Sequence, residues 1–439
     1  MQKIYSNKVW VADSLQPATV SFSNGKIISV EFEKPANTTD FGDAIIMPGC
    51  IDAHVHVNEP GRTNWEGFDT ATQAAAAGGI TTIVDMPLNA SPVTTTVDAL
   101  EEKLKSTQGK LHVNTGFYAG VVPGNEDQIE KLCQAGVLGI KAFLTHSGID
   151  EFPNVGKQEL ERIMPVLKEF GKPLLVHCEL TDNKHASALE QSPTGYMAYL
   201  QSRPNKWEED AVAMMIELCR KHGCKTHIVH VASATALKLI ENAKKEGLPI
   251  TAETCPHYLF FNAEEIPDAN TLYKCAPPIR EKANNAVLKN AYRLGILDFI
   301  ASDHSPAPPG IKELETGDFL KAWGGIAGLQ FLLSASWTSL KEQLSLSEFI
   351  PYLTARPAAF LGLDNKGTIA EGKDADMLIW QPEESFMAEE KDIFHKHKAS
   401  PYTGKKLYGK VLTTIVNGNI VYQNNEIIHK NCGTWLLKK

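Results

Sequence analysis

The stretch Ala44-Ile45-Ile46-Met47-Pro48-Gly49-Cys50-Ile51-Asp52-Ala53-His54-Val55-His56-Val57 decides how the rest of the chain is read. Its first half is apolar and reads as a buried strand. Along a strand, side chains at i and i+2 point to one face. His54 and His56 therefore aim two imidazoles into one space at a strand end. Imidazole is the commonest protein ligand for zinc-like metals. A lone His-x-His is a weak signal. Here it follows an apolar strand, precedes a Gly-Pro loop, and is matched by ligand-type residues further on.

Working outward, seven more strand-like runs follow: 81–87, 111–120, 138–146, 172–179, 225–233, 248–259 and 297–306. Helical patterns lie between them, such as 157–171 and 207–223, each with apolar residues at helical spacing and a Gly to cap it. Eight strands alternating with helices predict an α/β fold, a (β/α)8 or TIM barrel. A doubly wound open sheet is the alternative, but no Gly-x-Gly-x-x-Gly turn follows the first strand. The two chain ends differ from this middle. Near the start, polar–apolar alternation and turns at Asp13-Ser14 and Asn24-Gly25 predict short antiparallel strands, and after about residue 365 the same character returns with an Asn417-Gly418 turn. The expected organisation is one small β-sandwich-like domain from residues 1–48 and 365–439, beside a barrel over 49–364.

Composition is ordinary for a globular chain of 439 residues, 43% hydrophobic and 22% charged. A net charge of −9 carries no nucleic-acid footprint. No run has signal-peptide or transmembrane character, so no membrane partner is expected. The eight cysteines form no Cys-x-x-Cys and read as reduced thiols of a cytoplasmic protein.

Polar residues fall at the ends of the expected strands: His54 and His56 on the first, Lys141 on the fourth, His177 on the fifth, His230 on the sixth and Asp303 on the eighth. Each has a bland reading. A core histidine explains His177 or His230, an Asx turn explains Asp303, and a snorkelling lysine explains Lys141. None of these explains why all six occupy equivalent strand ends, which in a barrel meet at one mouth. Lys141, flanked by Ile140, Ala142, Phe143 and Leu144, points into the barrel. Burial and nearby cations depress an ammonium's pKa. A neutral amine can take up carbon dioxide as a carbamate, whose two oxygens can bridge two metals. His54, His56 and Asp303 would hold one metal, and His177 and His230 the other. Such a pair generates a bridging hydroxide at neutral pH and polarises a carbonyl. Asp303 is then the group to accept its proton and return it to a leaving nitrogen.

The set Asp52-Ala53-His54-Val55-His56, Lys141, His177, His230 and Ser302-Asp303-His304-Ser305-Pro306 resembles the cyclic amidohydrolases of the urease-related amidohydrolase superfamily. The resemblance covers nearly the whole chain, including the terminal Glu371–Trp380 element of their small β domain. It implies two divalent metals, usually zinc, with a carboxylated lysine. The ligands are then His54, His56, Lys141, His177, His230 and Asp303. It implies a small-molecule cyclic amide substrate and a homo-oligomer, tetramer or dimer. Non-catalytic scaffold relatives look like barrels that have lost ligands, whereas all six positions are filled here.

Within that family, dihydroorotases follow the His-x-His with an Arg for the substrate carboxylate. Here Asn58 stands there, Leu88 replaces a second contact and Ala276 a third. Losing a carboxylate's Arg partner costs roughly 3–5 kcal/mol. Arg62 lies past the Gly turn and reads as loop structure. Hydantoinases and dihydropyrimidinases usually carry a Tyr five residues after the bridging lysine, where this chain has His146. The segments 58–92 and Lys321–Gln330 are instead similar to allantoinases, which implies opening of the hydantoin ring of allantoin to allantoate. Asn58, Asn89 and Ala276 are the expected substrate contacts, with Asn89 equally readable as a turn residue before Pro92. His257 and His304 are secondary candidates. Gly324-Gly325 reads as a loop approaching the site closely, since no Gly-Lys-Ser/Thr follows to make a phosphate loop.

Overall fold

A computed structural model of the chain describes residues 1–182 and 185–438. The alternating start forms the antiparallel strands β1 (Gln2–Val11), β2 (Ser14–Ser23) and β3 (Lys26–Glu31), followed by a short β4 (Thr39–Asp40). The hairpin from β2 to β3 turns on Asn24 and Gly25, both at positive φ (51° and 76°). That is the twist a two-residue hairpin needs. β5 (Ile45–Pro48) runs parallel beside β1.

The barrel strands follow: β6 (Cys50–Val55), β7 (Ile80–Asp85), β8 (Asn114–Phe117), β9 (Ala119–Gly120), β10 (Ile140–Phe143), β11 (Leu174–His177), β12 (Thr226–Ile228), β13 (Ile250–Thr254) and β14 (Phe299–Ile300). Neighbours pair in parallel throughout. β8 and β9 are one strand interrupted at Tyr118, the first piece pairing with β7 and the second with β10. A bridge between Val55 and His304, with the His56 N–H donating to the His304 carbonyl at 2.8 Å, closes the ring. The two helices singled out in the sequence occur as Lys157–Glu169 and Asn205–His222, the second capped by Gly223.

After the barrel come β15 (Met377–Met387), β16 (Lys406–Val416), β17 (Asn419–Gln423) and β18 (Glu426–Ile427), all antiparallel. β15 also pairs with β5, so both chain ends share one nine-stranded sheet. Val9, Val20, Phe22, Ile27, Ile46, Met377, Ile379 and Ile415 form a core under it, distinct from those of the barrel. The last strand, β19 (Trp435–Leu436), leaves this sheet and pairs with β8 of the barrel.

The barrel strands are shorter than the apolar runs suggested. The run 248–259 is strand only to Thr254, and Pro256–Phe260 is a helical turn. Pro256 stands at its first position, where a fixed φ and a missing N–H suit a helix start.

A buried polar knot joins sheet and barrel. Asp376 accepts from the Asn417 N–H at 2.7 Å and the Asn114 side chain at 3.0 Å, and pairs with Lys366. Lys366 also reaches Asp374 at 3.0 Å. Replacing Lys366 by Met leaves a buried carboxylate without its cation. A loss of ~3–5 kcal/mol is expected in urea unfolding. A loss below ~1 kcal/mol would show the join is carried elsewhere.

Candidate metal centre

The six expected ligand residues line one cavity of about 700 Å3 at the C-terminal ends of the barrel strands. His54 lies in β6 and His56 just past it, Lys141 in β10, and His177 ends β11. His230 and Asp303 are not within strands, as the sequence suggested. They lie beyond β12 and β14, at φ 41° and 46°. Positive φ in a residue with a Cβ costs ~1–3 kcal/mol and takes the backbone out of the ladder. Such strain clusters at functional sites.

Hydrogen bonding fixes what each imidazole presents. His54 Nδ1 lies 2.6 Å from the buried Glu253 carboxylate. A carboxylate facing one ring nitrogen takes that nitrogen's proton as its donor and leaves the other as a lone pair. The other, His54 Nε2, lies 3.1 Å from Asp303 Oδ1, and His56 Nε2 lies 3.2 Å from the same oxygen. These three ligand atoms lie within 4.8 Å of one another. On the opposite side His177 Nε2 lies 2.8 Å from Glu179, which also holds Arg203. That leaves His177 Nδ1 to face His230 Nε2 at 2.9 Å. Acceptor atoms thus converge in two groups, each backed by a carboxylate that draws the proton to the far side of the ring.

Lys141 is fully buried and its Nζ has no hydrogen-bond partner among the described residues. Its ammonium sits 5.0 Å over the Phe143 ring, which stacks on His177 at 4.6 Å. Burial drives its pKa down to about 8 against the pull of Asp303 and Glu253. Burial also holds His54 and His230 far below the usual imidazole range, with Lys141 adding repulsion at both. Glu253 is pushed up to about 8 by burial, with Lys141 opposing, so its role as the acceptor behind His54 belongs to its ionised form. Glu179 behaves oppositely: burial would raise it, but Arg203 and His177 hold it down to about 2. Neutral imidazoles and a readily deprotonated amine are the states in which these groups can bind divalent cations. An orphaned buried amine beside two acceptor groups also suits a bridging carbamate. The donor set therefore fits divalent metal ions.

Of the expected substrate contacts, Asn89 and Ala276 line the cavity. Asn89 stands at φ 66° with its Oδ1 buried and unpartnered, so it is both a turn residue and a cavity residue. Asn58 is buried outside the lining and donates to the Pro306 carbonyl at 3.2 Å. Arg62 reaches the cavity, but its guanidinium is bound to Glu151 at 2.7 Å and to the Ala90 carbonyl at 3.2 Å. His146 is exposed on the rim. His257 lies buried on its helical turn. His304 ties the Asp303 loop down, its Nδ1 accepting from the Gly328 N–H at 3.2 Å and its Nε2 lying 3.4 Å from Glu66. Glu253, Glu179 and Arg203 were not singled out in the sequence. Strand alternation was the available signal for Glu253, an acidic residue at an inward position of an apolar run.

The comparisons agree with this construction. The model of the Amidohydrolase family matches residues 45–421, and the chain belongs to that family. It is 43% identical to an allantoinase of Streptomyces avermitilis, over 96% of this chain and 95% of that one. It is 40% identical to an allantoinase of Arabidopsis thaliana, over 98% and 90%. Among solved structures it is similar to the L-hydantoinase (dihydropyrimidinase) of Arthrobacter aurescens, with a TM-score of 0.94 at 29% identity over the whole of both chains.

Replacing Glu253 by Leu removes the acceptor behind His54. Divalent-metal affinity is expected to fall roughly 10–100-fold. Equilibrium dialysis against zinc checks this, and Glu253→Gln, which keeps an acceptor oxygen, should lose less. Unchanged affinity in the Leu variant would rule out the orienting role.

Proposed function

We propose that the protein is an allantoinase: a metal-dependent cyclic amide hydrolase that opens the hydantoin ring of allantoin to allantoate. The full-length similarity to allantoinases supports the class of substrate. The observation that carries the choice is the state of the cavity's guanidinium groups. Arg62 is bound to Glu151 and Arg203 to Glu179, so neither is open to a substrate carboxylate. The lining ammonium groups of Lys274 and Lys321 are likewise engaged, by the Ala322 carbonyl and by Asp318, and neutral groups stand beside them. Asn89 Oδ1 is a buried acceptor beside the cavity, and it and the peptide N–H groups of Ala276 and Gly324 have no hydrogen-bond partner among the described residues. Neutral donors and acceptors suit a ring with a ureido arm better than the anionic dihydroorotate.

In this reading His54, His56 and Asp303 would hold one divalent ion and His177 and His230 the other, with a carboxylated Lys141 as a further ligand. The ions are zinc by family resemblance. When bound, two such ions supply Lewis acidity and acidify water. The protein's own groups do the rest. Glu253 and Glu179 keep the imidazole lone pairs aimed inward. Asp303 takes the proton of the attacking water as its oxygen bonds to the ring carbonyl carbon. It then delivers that proton to the ring nitrogen as the C–N bond breaks. The backbone at Ala276 and Gly324, with Asn89, orients the substrate.

The same reading makes residues 1–48 and 365–439 one small domain beside a 49–364 barrel, supported by the sheet both ends share. It makes the protein a cytoplasmic homo-oligomer, dimer or tetramer. Eight free cysteines, seven of them buried, fit a reducing compartment. No described helix is long and apolar enough to cross a membrane.

The test of substrate is kcat/KM for allantoin, dihydroorotate, hydantoin and dihydrouracil on one metal-loaded preparation. Allantoin is expected to lead dihydroorotate by orders of magnitude. Dihydroorotate as the best substrate would sink the argument from the engaged guanidinium groups, and dihydrouracil would show that the rim position of His146 carries no discrimination.

The bridging role of Lys141 has its own check. Lys141→Ala should lose most bound metal by mass spectrometry, with turnover falling accordingly. Two metals per chain and normal turnover in that variant would remove the bridge.

A further inference from the structure

Lys312 is a buried ammonium that the chemistry above does not use. It is 4% exposed, and its Nζ donates to the Gly325 carbonyl at 2.8 Å, the Trp323 carbonyl at 3.1 Å and the Lys274 carbonyl at 3.2 Å. It makes no ion pair with a carboxylate among the described residues. Burial pushes its pKa down to about 7, with Cys275 opposing and Lys274 adding to the fall. A buried cation without an anion is costly unless every donor is satisfied. Three carbonyls satisfy its three donors.

Those carbonyls belong to two backbone segments that both line the cavity, 274–276 and 322–325. Other bonds cross between them: the Gly325 N–H donates to the Lys274 carbonyl at 2.9 Å, and Lys274 Nζ donates to the Ala322 carbonyl at 2.5 Å. The Trp323 N–H donates to the Ile311 carbonyl at 2.7 Å, next to Lys312 itself. Ala276 and Gly324, whose N–H groups are open, stand side by side, so close that a Cβ on Gly324 would lie 3.9 Å from Ala276. The Gly pair read in the sequence as a close-approaching loop is therefore the part that Lys312 pins.

We infer that Lys312 is a positioning residue for substrate binding: it staples the two cavity-lining backbone segments that carry the unpaired Ala276 and Gly324 N–H groups, and so sets how tightly the cyclic amide is held. The inference rests on the function proposed above. It assigns Lys312 to ground-state binding and leaves the metal centre to the strand ends. Loss of uniform binding raises KM and spares kcat.

The experiment compares wild type with Lys312→Met, which keeps an unbranched stem and removes the donors, and with Lys312→Gln, which has the reach of Met and keeps two N–H donors. KM, kcat and metal content are measured on the best wild-type substrate. Lys312→Met is expected to raise KM roughly 10-fold or more with kcat within about 3-fold and metal content unchanged. Lys312→Gln should lie between. KM within about 2-fold of wild type in a folded variant overturns the inference. So does a variant whose metal content and kcat fall together at unchanged KM. If Lys312→Met does not fold, the Gln variant decides, and failure of both to fold makes Lys312 a folding element and overturns the positioning role. The proposed substrate is tested separately, because the KM ratio is read on whichever substrate the wild type prefers.

Discussion

The constraint on which this structure turns is that several imidazole lone pairs must meet in a buried place with their protons led away. A neutral imidazole offers one donor and one acceptor, so the direction of the donor fixes that of the lone pair. Glu253 behind His54 and Glu179 behind His177 perform that task from inside the barrel. The two are not equivalent. Glu179 is neutralised by Arg203, whereas Glu253 shares the core with His54 and His227. An unpartnered Lys141 between them is a large electrostatic cost, and burial lowers it by favouring the neutral amine.

The barrel divides the work between strand ends and loops. Strand ends carry the metal-type residues, held by the parallel ladder and by the positive-φ turns at His230 and Asp303. The loops supply the wall: Arg62 and Asn89 on one side, Ala276 and Gly324 on another. The guanidinium groups in this wall are already paired with carboxylates of the protein, Arg62 with Glu151 and Arg203 with Glu179. Rigid strands give precision to the chemistry, while loops tolerate the changes that separate one cyclic amide from another.

The small sheet is also wired to the site. The Lys396 N–H donates to Glu66 at 3.1 Å, and Glu66 faces His304. The His395 ring lies tilted beside that of His304 at 4.7 Å. His304 in turn anchors the loop carrying Asp303 through its carbonyl bond to the His56 N–H. The segment between β15 and β16 thus reaches across the barrel to the residue that shuttles the proton in the proposed reaction.

Much of this was legible in the sequence because it depended on local periodicity. Apolar runs alternating with amphipathic ones identified the barrel, and the His54-x-His56 spacing placed two imidazoles on one face. The matched positions of Lys141, His177, His230 and Asp303 marked a common mouth. The two Asn-Gly turns marked the hairpins of the small sheet. Strand ends were overestimated where a proline or a positive-φ residue stopped the ladder, as at Pro256, His230 and Asp303, since apolar composition continues past the last paired residue. Three things required the tertiary structure. Glu253 and Glu179 acquire their roles only by facing particular ring nitrogens, the guanidinium of Arg62 at the cavity wall is occupied only by meeting Glu151, and Lys312 matters only because three carbonyls from two segments surround it. The sequence by itself determined which residue types lie at the strand ends, because side-chain direction along a strand is a local property. The tertiary structure decided what each of them is free to bind, because that depends on partners far away in the chain.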